Sequence, residues 1–115
     1  MRVLNQLRGA IPVWPFDPLP ASGPVLIEIY TTIAARAAAI RKGLSKMRDA
    51  DSLDIALEAL GSERHAPLAR YDNHATDAIL TTAWLRIAAH DPTLWNPAAL
   101  TPTIAATEGW TFGVA

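Results

Sequence analysis

The chain has 115 residues, room for one domain with a real core but not for two. Half of it is hydrophobic and 18% is charged, with a formal net charge of −1, which excludes both a disordered chain and an overall basic field for polyanions or membrane surfaces. With no cysteine, disulfides, zinc–thiolate sites and cysteine nucleophiles are excluded, and every apolar run falls well short of the roughly 18 residues that cross a bilayer. "MRVLNQLRGA" lacks the apolar stretch of a secretory signal, so a cytoplasmic location without a membrane partner is expected.

Val3, Leu4 and Leu7 stand at helical spacing before Gly9, which predicts a short amphipathic helix near the start. Prolines at 12, 15, 18, 20 and 24 punctuate the next segment. Proline cannot donate to a sheet ladder, so residues 11–16 are at best an edge strand and 17–24 a turn-rich connector. "VLIEIYT" is the clearest strand, β-branched and aromatic after Pro24. From Thr32 the pattern turns helical: "TIAARAAAIRKG" is alanine-rich, ends in Arg41 and Lys42, and stops at Gly43.

"DSLDIALEALG" predicts a second helix, with Leu53, Leu57 and Leu60 on one stripe, Gly61 as its stop and Asp51 or Ser52 at its cap. "SERHAPLARYDN" reads as a polar loop, and "HATDAILTTAWLRIAAH" as the longest helix, apolar on most of its circumference and ended by Asp91-Pro92. The tail holds a helical turn over residues 101–106 and an aromatic ending in which Trp110 and Phe112 close the core. This order predicts an α/β layer, a small sheet of two or three strands covered by helices, over a single domain 1–115. Two strands alone make a poor sheet, so the architecture reads as incomplete.

The acids carry the functional reading. Glu28 is a lone carboxylate among apolar strand residues, and an ionised carboxylate in an apolar interior is costly unless it faces water or meets a partner. Asp77 and His74 are three apart, hence on one face at the head of the long helix, and Asp72 lies in the approach as a cap. Asp77 is followed on its own face by Thr81, Trp84 and Ala88, so it too needs a partner. Two carboxylates brought together repel unless one is protonated or a cation lies between them, and Mg²⁺ or Mn²⁺ with oxygen ligands is the ordinary solution.

"VLIEIYTTIAARAA", "YDNHATDAILTTAWLRIAA" and "TEGWTFGV" resemble the later part of a bacterial family of predicted nucleases of unknown function with a ribonuclease H-like fold, distantly related to RuvC-type Holliday junction resolvases. The resemblance spans residue 11 to the end of the sequence. It implies a partial ribonuclease H-like layer with the N-terminal strands of that fold missing. It places Glu28 at the middle-strand glutamate and Asp77 at the helix aspartate, with His74 as an auxiliary catalytic group and Asp72 as a further metal ligand. The implied chemistry is phosphodiester hydrolysis assisted by two divalent ions about 4 Å apart, on a nucleic acid substrate. The aspartate that such families carry on their first strand has no counterpart here, so the chain alone is expected to be incomplete or inactive.

Other features have plainer readings. Arg36, Arg41, Lys42, Lys46 and Arg48 are either a phosphate-contacting cluster or a solvated helix end. His65 and His90 receive no role, and Trp14, Trp84, Trp95 and Trp110 are core or interface anchors rather than base-stacking platforms. The alternative to a nuclease is a non-catalytic interaction module that forms a homodimer through the open edges at residues 11–16 and 25–30.

Overall fold

The computed structural model describes residues 6–7, 9–39 and 49–115. Val3 and Leu4 of the expected first helix, the cations Arg41, Lys42, Lys46 and Arg48, and the expected stop at Gly43 lie outside the described residues. The chain packs as two compact units, one drawn from Met1–Ile29 and Thr93–Ala115, the other spanning Tyr30–Pro92.

In the Tyr30–Pro92 unit, α1 (Thr31–Ala37) and α2 (Ala50–Ala59) both pack on the long α3 (Asn73–Ala88). The alanine-rich stretch explains the first pairing: Ala34, Ala35 and Ala38 are all buried, and side chains this small let two helix backbones approach closely. The leucine stripe explains the second, since Leu53, Ala56, Leu57 and Leu60 recur at helical spacing and are all buried. α3 buries Thr76, Leu80, Thr81, Ala83, Trp84 and Ala88, an arc wide enough to serve both neighbours.

Polar residues fix the helix ends. The N-cap of α2 is Asp49, not Asp51 or Ser52; its carboxylate accepts the Ser52 N–H at 2.8 Å and the Ser52 hydroxyl as well. α2 closes as a Schellman turn, in which the Ser62 N–H reaches the Leu57 carbonyl and the Gly61 N–H the Glu58 carbonyl, both at 2.9 Å. Asp72 caps α3 by accepting the Ala75 N–H at 2.9 Å.

The other unit is built on aromatic packing. Trp14 meets Trp95 and Phe112 edge-on, with ring centroids 5.7 and 5.8 Å away, and Trp95 and Phe112 lie 4.5 Å apart. Phe112 is 0% exposed, the core residue that the aromatic ending predicts. α4 (Pro92–Trp95) delivers Trp95, and α5 (Pro102–Thr107), capped by the Thr101 hydroxyl, leads to the final turn.

The α/β layer is overturned here. Among the described residues there is no strand and no sheet, only two isolated parallel bridges, Val13 to Leu26 and Glu28 to Thr111. The ribonuclease H-like layer of two or three strands is therefore absent from this part of the chain. The reason is local. Trp14 donates to the Leu26 carbonyl and Leu26 to the Pro12 carbonyl, both at 2.9 Å, but Pro15 has no N–H and the chain turns back as the Asp17 N–H bonds the Val13 carbonyl. At the far end, Gly109 and Gly113 hold φ of 79° and 93°, outside the extended region, so the stretch between them is too short for a ladder. No helix among the described residues is long and apolar enough to cross a membrane.

Leu80, at 1% exposure, is the central apolar side chain of α3. Leu80→Ala is expected to cost about 2–5 kcal/mol of unfolding free energy, measured by urea denaturation followed through helical circular dichroism. The exposed Ile87→Ala is expected to change little in the same experiment.

Candidate functional site

The residues singled out in the sequence fall in different surroundings. Glu28 belongs to the aromatic unit, whereas Asp72, His74 and Asp77 belong to the helical one. Glu28 is exposed between half-buried Ile27 and Ile29; its carbonyl accepts the Phe112 N–H at 2.8 Å, and its carboxylate receives the Thr111 hydroxyl at 3.4 Å. Asp72 is fully engaged, one oxygen with the Ala75 N–H and the other with the Arg70 guanidinium at 2.9 Å. Those donors, the Ala75 N–H first and Arg70 second, hold its carboxyl below the ordinary range. His74 is exposed, and Asp77 is half-buried at the head of α3 above the buried Thr81, Trp84 and Ala88.

Among the described residues no three carboxylate or imidazole side chains gather to hold an ion, and both Asp72 oxygens already accept hydrogen bonds.

The site with the most developed surroundings is a cavity of about 500 Å³ in the aromatic unit. Three segments that the bridges bring side by side form it: residues 13–16, 26–28 and 108–110. Trp14, Phe16 and Trp110 supply aromatic wall and Leu26 and Ile27 aliphatic wall, and Glu28 and Glu108 are the acidic residues of the lining. Gly109 sets the depth, because a Cβ there would lie 3.0 Å from the Phe16 ring. Both glutamates also line a smaller hollow of about 340 Å³ beside Thr111 and Val114. The sequence flags Glu28 but assigns Glu108 no role; the one available signal is an acid placed directly before the Gly-Trp pair of "TEGWTFGV".

The helical unit holds a second arrangement to which the sequence assigns no role. His65 Nδ1 lies 2.6 Å from Asp54, His65 Nε2 lies 2.7 Å from the Tyr71 hydroxyl, and the Asp54 carboxylate also accepts the His65 N–H at 3.0 Å. With Asp54 ionised, Nδ1 carries the proton toward it and Nε2 accepts from Tyr71. The Tyr71 oxygen accepts the Leu68 N–H in turn. Each group is thus used within the unit, and the network clasps the 62–72 loop to α2. The three residues stand 11 and 6 positions apart across an irregular loop, a spacing no periodicity reveals. Beside His65 runs a wider groove of about 710 Å³, open and mainly apolar, along Ile79, Ala83 and Leu85.

No family of known proteins, no curated protein and no solved structure matches the chain.

The clasp and the caps have a consequence for acid stability. Partial burial pushes the Asp54 carboxyl up, but the hydrogen bonds from the His65 ring and backbone outweigh it, and the net direction is down. Asp49 is lowered by the Ser52 hydroxyl and N–H, and Asp72 by its cap and Arg70. A carboxylate depressed in the folded state contributes stability above its unfolded pKa of about 3.9 and loses it as pH falls through the folded value. Helical circular dichroism of the chain is therefore expected to hold from about pH 7 to pH 4 and to fall below that. Asp54→Asn is expected to lower stability at neutral pH and flatten the acid limb; urea denaturation across this range checks it, and an acid limb unchanged from wild type would count against the clasp.

Proposed function

We propose that the chain is a ligand-binding module whose site is the cavity walled by Trp14, Phe16, Trp110, Leu26 and Ile27. The observation that carries this reading is the pairing of a largely apolar enclosure with a small number of charged groups at one place. Small-ligand sites characteristically have this make-up and occupy roughly 300–1,000 Å³, a range that includes this cavity. The wider groove of the helical unit is open, and its charged residues Glu63 and Arg86 are of opposite sign, so it ranks behind. A binding role also agrees with the His65 network, whose members hydrogen-bond one another in holding a loop.

The test is a fragment screen by ligand-observed NMR on the full chain, followed by shift mapping. Bound fragments are expected to move the Trp110 indole and Gly109 amide resonances. Phe16 is 51% exposed, so Phe16→Ala removes a wall at little cost to the core and is expected to weaken every such ligand. Shifts confined to the Ile79–Leu85 side of α3, or none at all, would sink the proposal.

Metal-dependent phosphodiester hydrolysis is a second proposal. It rests on the resemblance to the predicted nucleases and on Asp77 being half-buried with no ion pair among the described residues. The donor set is incomplete, so no step is derived from it. Calorimetric titration with Mn²⁺ tests it: the proposal requires binding by the wild type that Asp77→Ala abolishes.

A further inference from the structure

Resting on the binding-module reading, we propose that the cavity at Trp14, Phe16 and Trp110 takes an alkylated ammonium cation, with Glu28 and Glu108 supplying the countercharge.

Among its described residues the charge of this unit is one-sided, and its Arg2 and Arg8 lie outside them. Its described residues include three acids, Asp17, Glu28 and Glu108, and no Lys, Arg or His. Asp17 is accounted for, because its carboxylate accepts the Val13 N–H at 2.9 Å and secures the turn at Pro15. Glu28 has only the long contact from the Thr111 hydroxyl, and neither glutamate is in an ion pair among the described residues. Two acidic residues in the lining of the same cavities raise the local negative potential, and a cation placed there relieves it.

The walls decide which cation. Aromatic faces are negative and attract positive charge, by about 0.5–2 kcal/mol per ring. Mg²⁺ and a primary ammonium hold their water tightly and would lose it against carbon-rich walls; Mg²⁺ also demands several oxygens in near-octahedral array. An alkylated ammonium spreads its charge over methyl groups, sheds water readily, and presents an apolar surface that Leu26, Ile27 and Phe16 can pack against. Tetramethylammonium is the minimal ligand of this class, and a cavity of about 500 Å³ accommodates it with room for a substituent chain.

The same headgroup is found on free small molecules and on methylated lysine side chains of peptides, and the experiment separates them. The full chain is titrated with tetramethylammonium chloride, the neutral and similarly shaped tert-butyl alcohol, Mg²⁺, a trimethyl-lysine peptide and the same peptide with unmodified lysine, followed by NMR shifts at Trp110 and Gly109. Tetramethylammonium is expected to bind at least about tenfold more tightly than the alcohol. Glu28→Gln combined with Glu108→Gln is expected to lose about tenfold, with circular dichroism unchanged because both side chains are exposed. A trimethyl-lysine peptide binding more tightly than both tetramethylammonium and the unmodified peptide identifies a protein side chain as the source; equal affinity for peptide and free cation identifies a small molecule.

If the alcohol binds as well as the cation, or Mg²⁺ moves the same resonances while tetramethylammonium does not, the ligand class is overturned and the cavity stands as a site for something else. If no probe or fragment moves these resonances, the cavity reading falls with it.

Discussion

Five prolines between residues 12 and 24 determine what the aromatic unit can be. Each removes a backbone donor, so the extended segments on either side cannot zip together beyond a single bridge. Backbone bonding is replaced by side-chain packing, and the burden falls on Trp14, Trp95 and Phe112. Ring pairs set edge-on add about 0.5–1.5 kcal/mol each beyond the area they bury, which suits three large residues holding segments that share so few hydrogen bonds. The same segments, side by side at their bridges, line the cavity.

The helical unit obeys a different rule. Its interior is ordinary, alanine against helix and leucine against helix, and its boundaries are set by aspartates at the helix starts and by a glycine turn at the end of α2. Some of the charge here is paired locally. Arg64 meets Glu58 and Arg70 meets Asp72, while His65 hydrogen-bonds Asp54. In the aromatic unit the described acids are in no ion pair with a described residue.

This division accounts for how much of the molecule is legible in the sequence. The helices of the Tyr30–Pro92 unit are readable because each advertises itself within a dozen residues: the leucine stripe of α2, the wide apolar arc of α3, Asp72 at its cap. The strand reading of "VLIEIYT" fails because β-branched composition reports a fit to an extended backbone, not the presence of a neighbour to pair with. Leu26 and Glu28 each find one parallel partner, but glycines at 109 and 113 and proline at 15 stop the pairing there. Glu28 stands out in the sequence as an anomaly, yet nothing near it indicates Glu108. The two line the same cavity because Glu28 bridges to Thr111, a relation across 83 residues that only the folded chain expresses. His65, Asp54 and Tyr71 are hidden for the same reason, their meeting depending on the course of an irregular loop.

The aromatic unit is assembled from both flanks of the sequence, with Trp14 on one and Phe112 on the other. A ribosome delivers these parts at different times. The helical stretch from Tyr30 to Pro92 emerges whole and has its full complement of core residues before residue 112 is made, whereas Trp14 must wait for that entire stretch to pass before its ring partners arrive. During that interval its indole is an uncovered apolar surface, and the prolines around it, by denying a neighbouring chain a ladder to join, guard the nascent segment against pairing with the wrong partner.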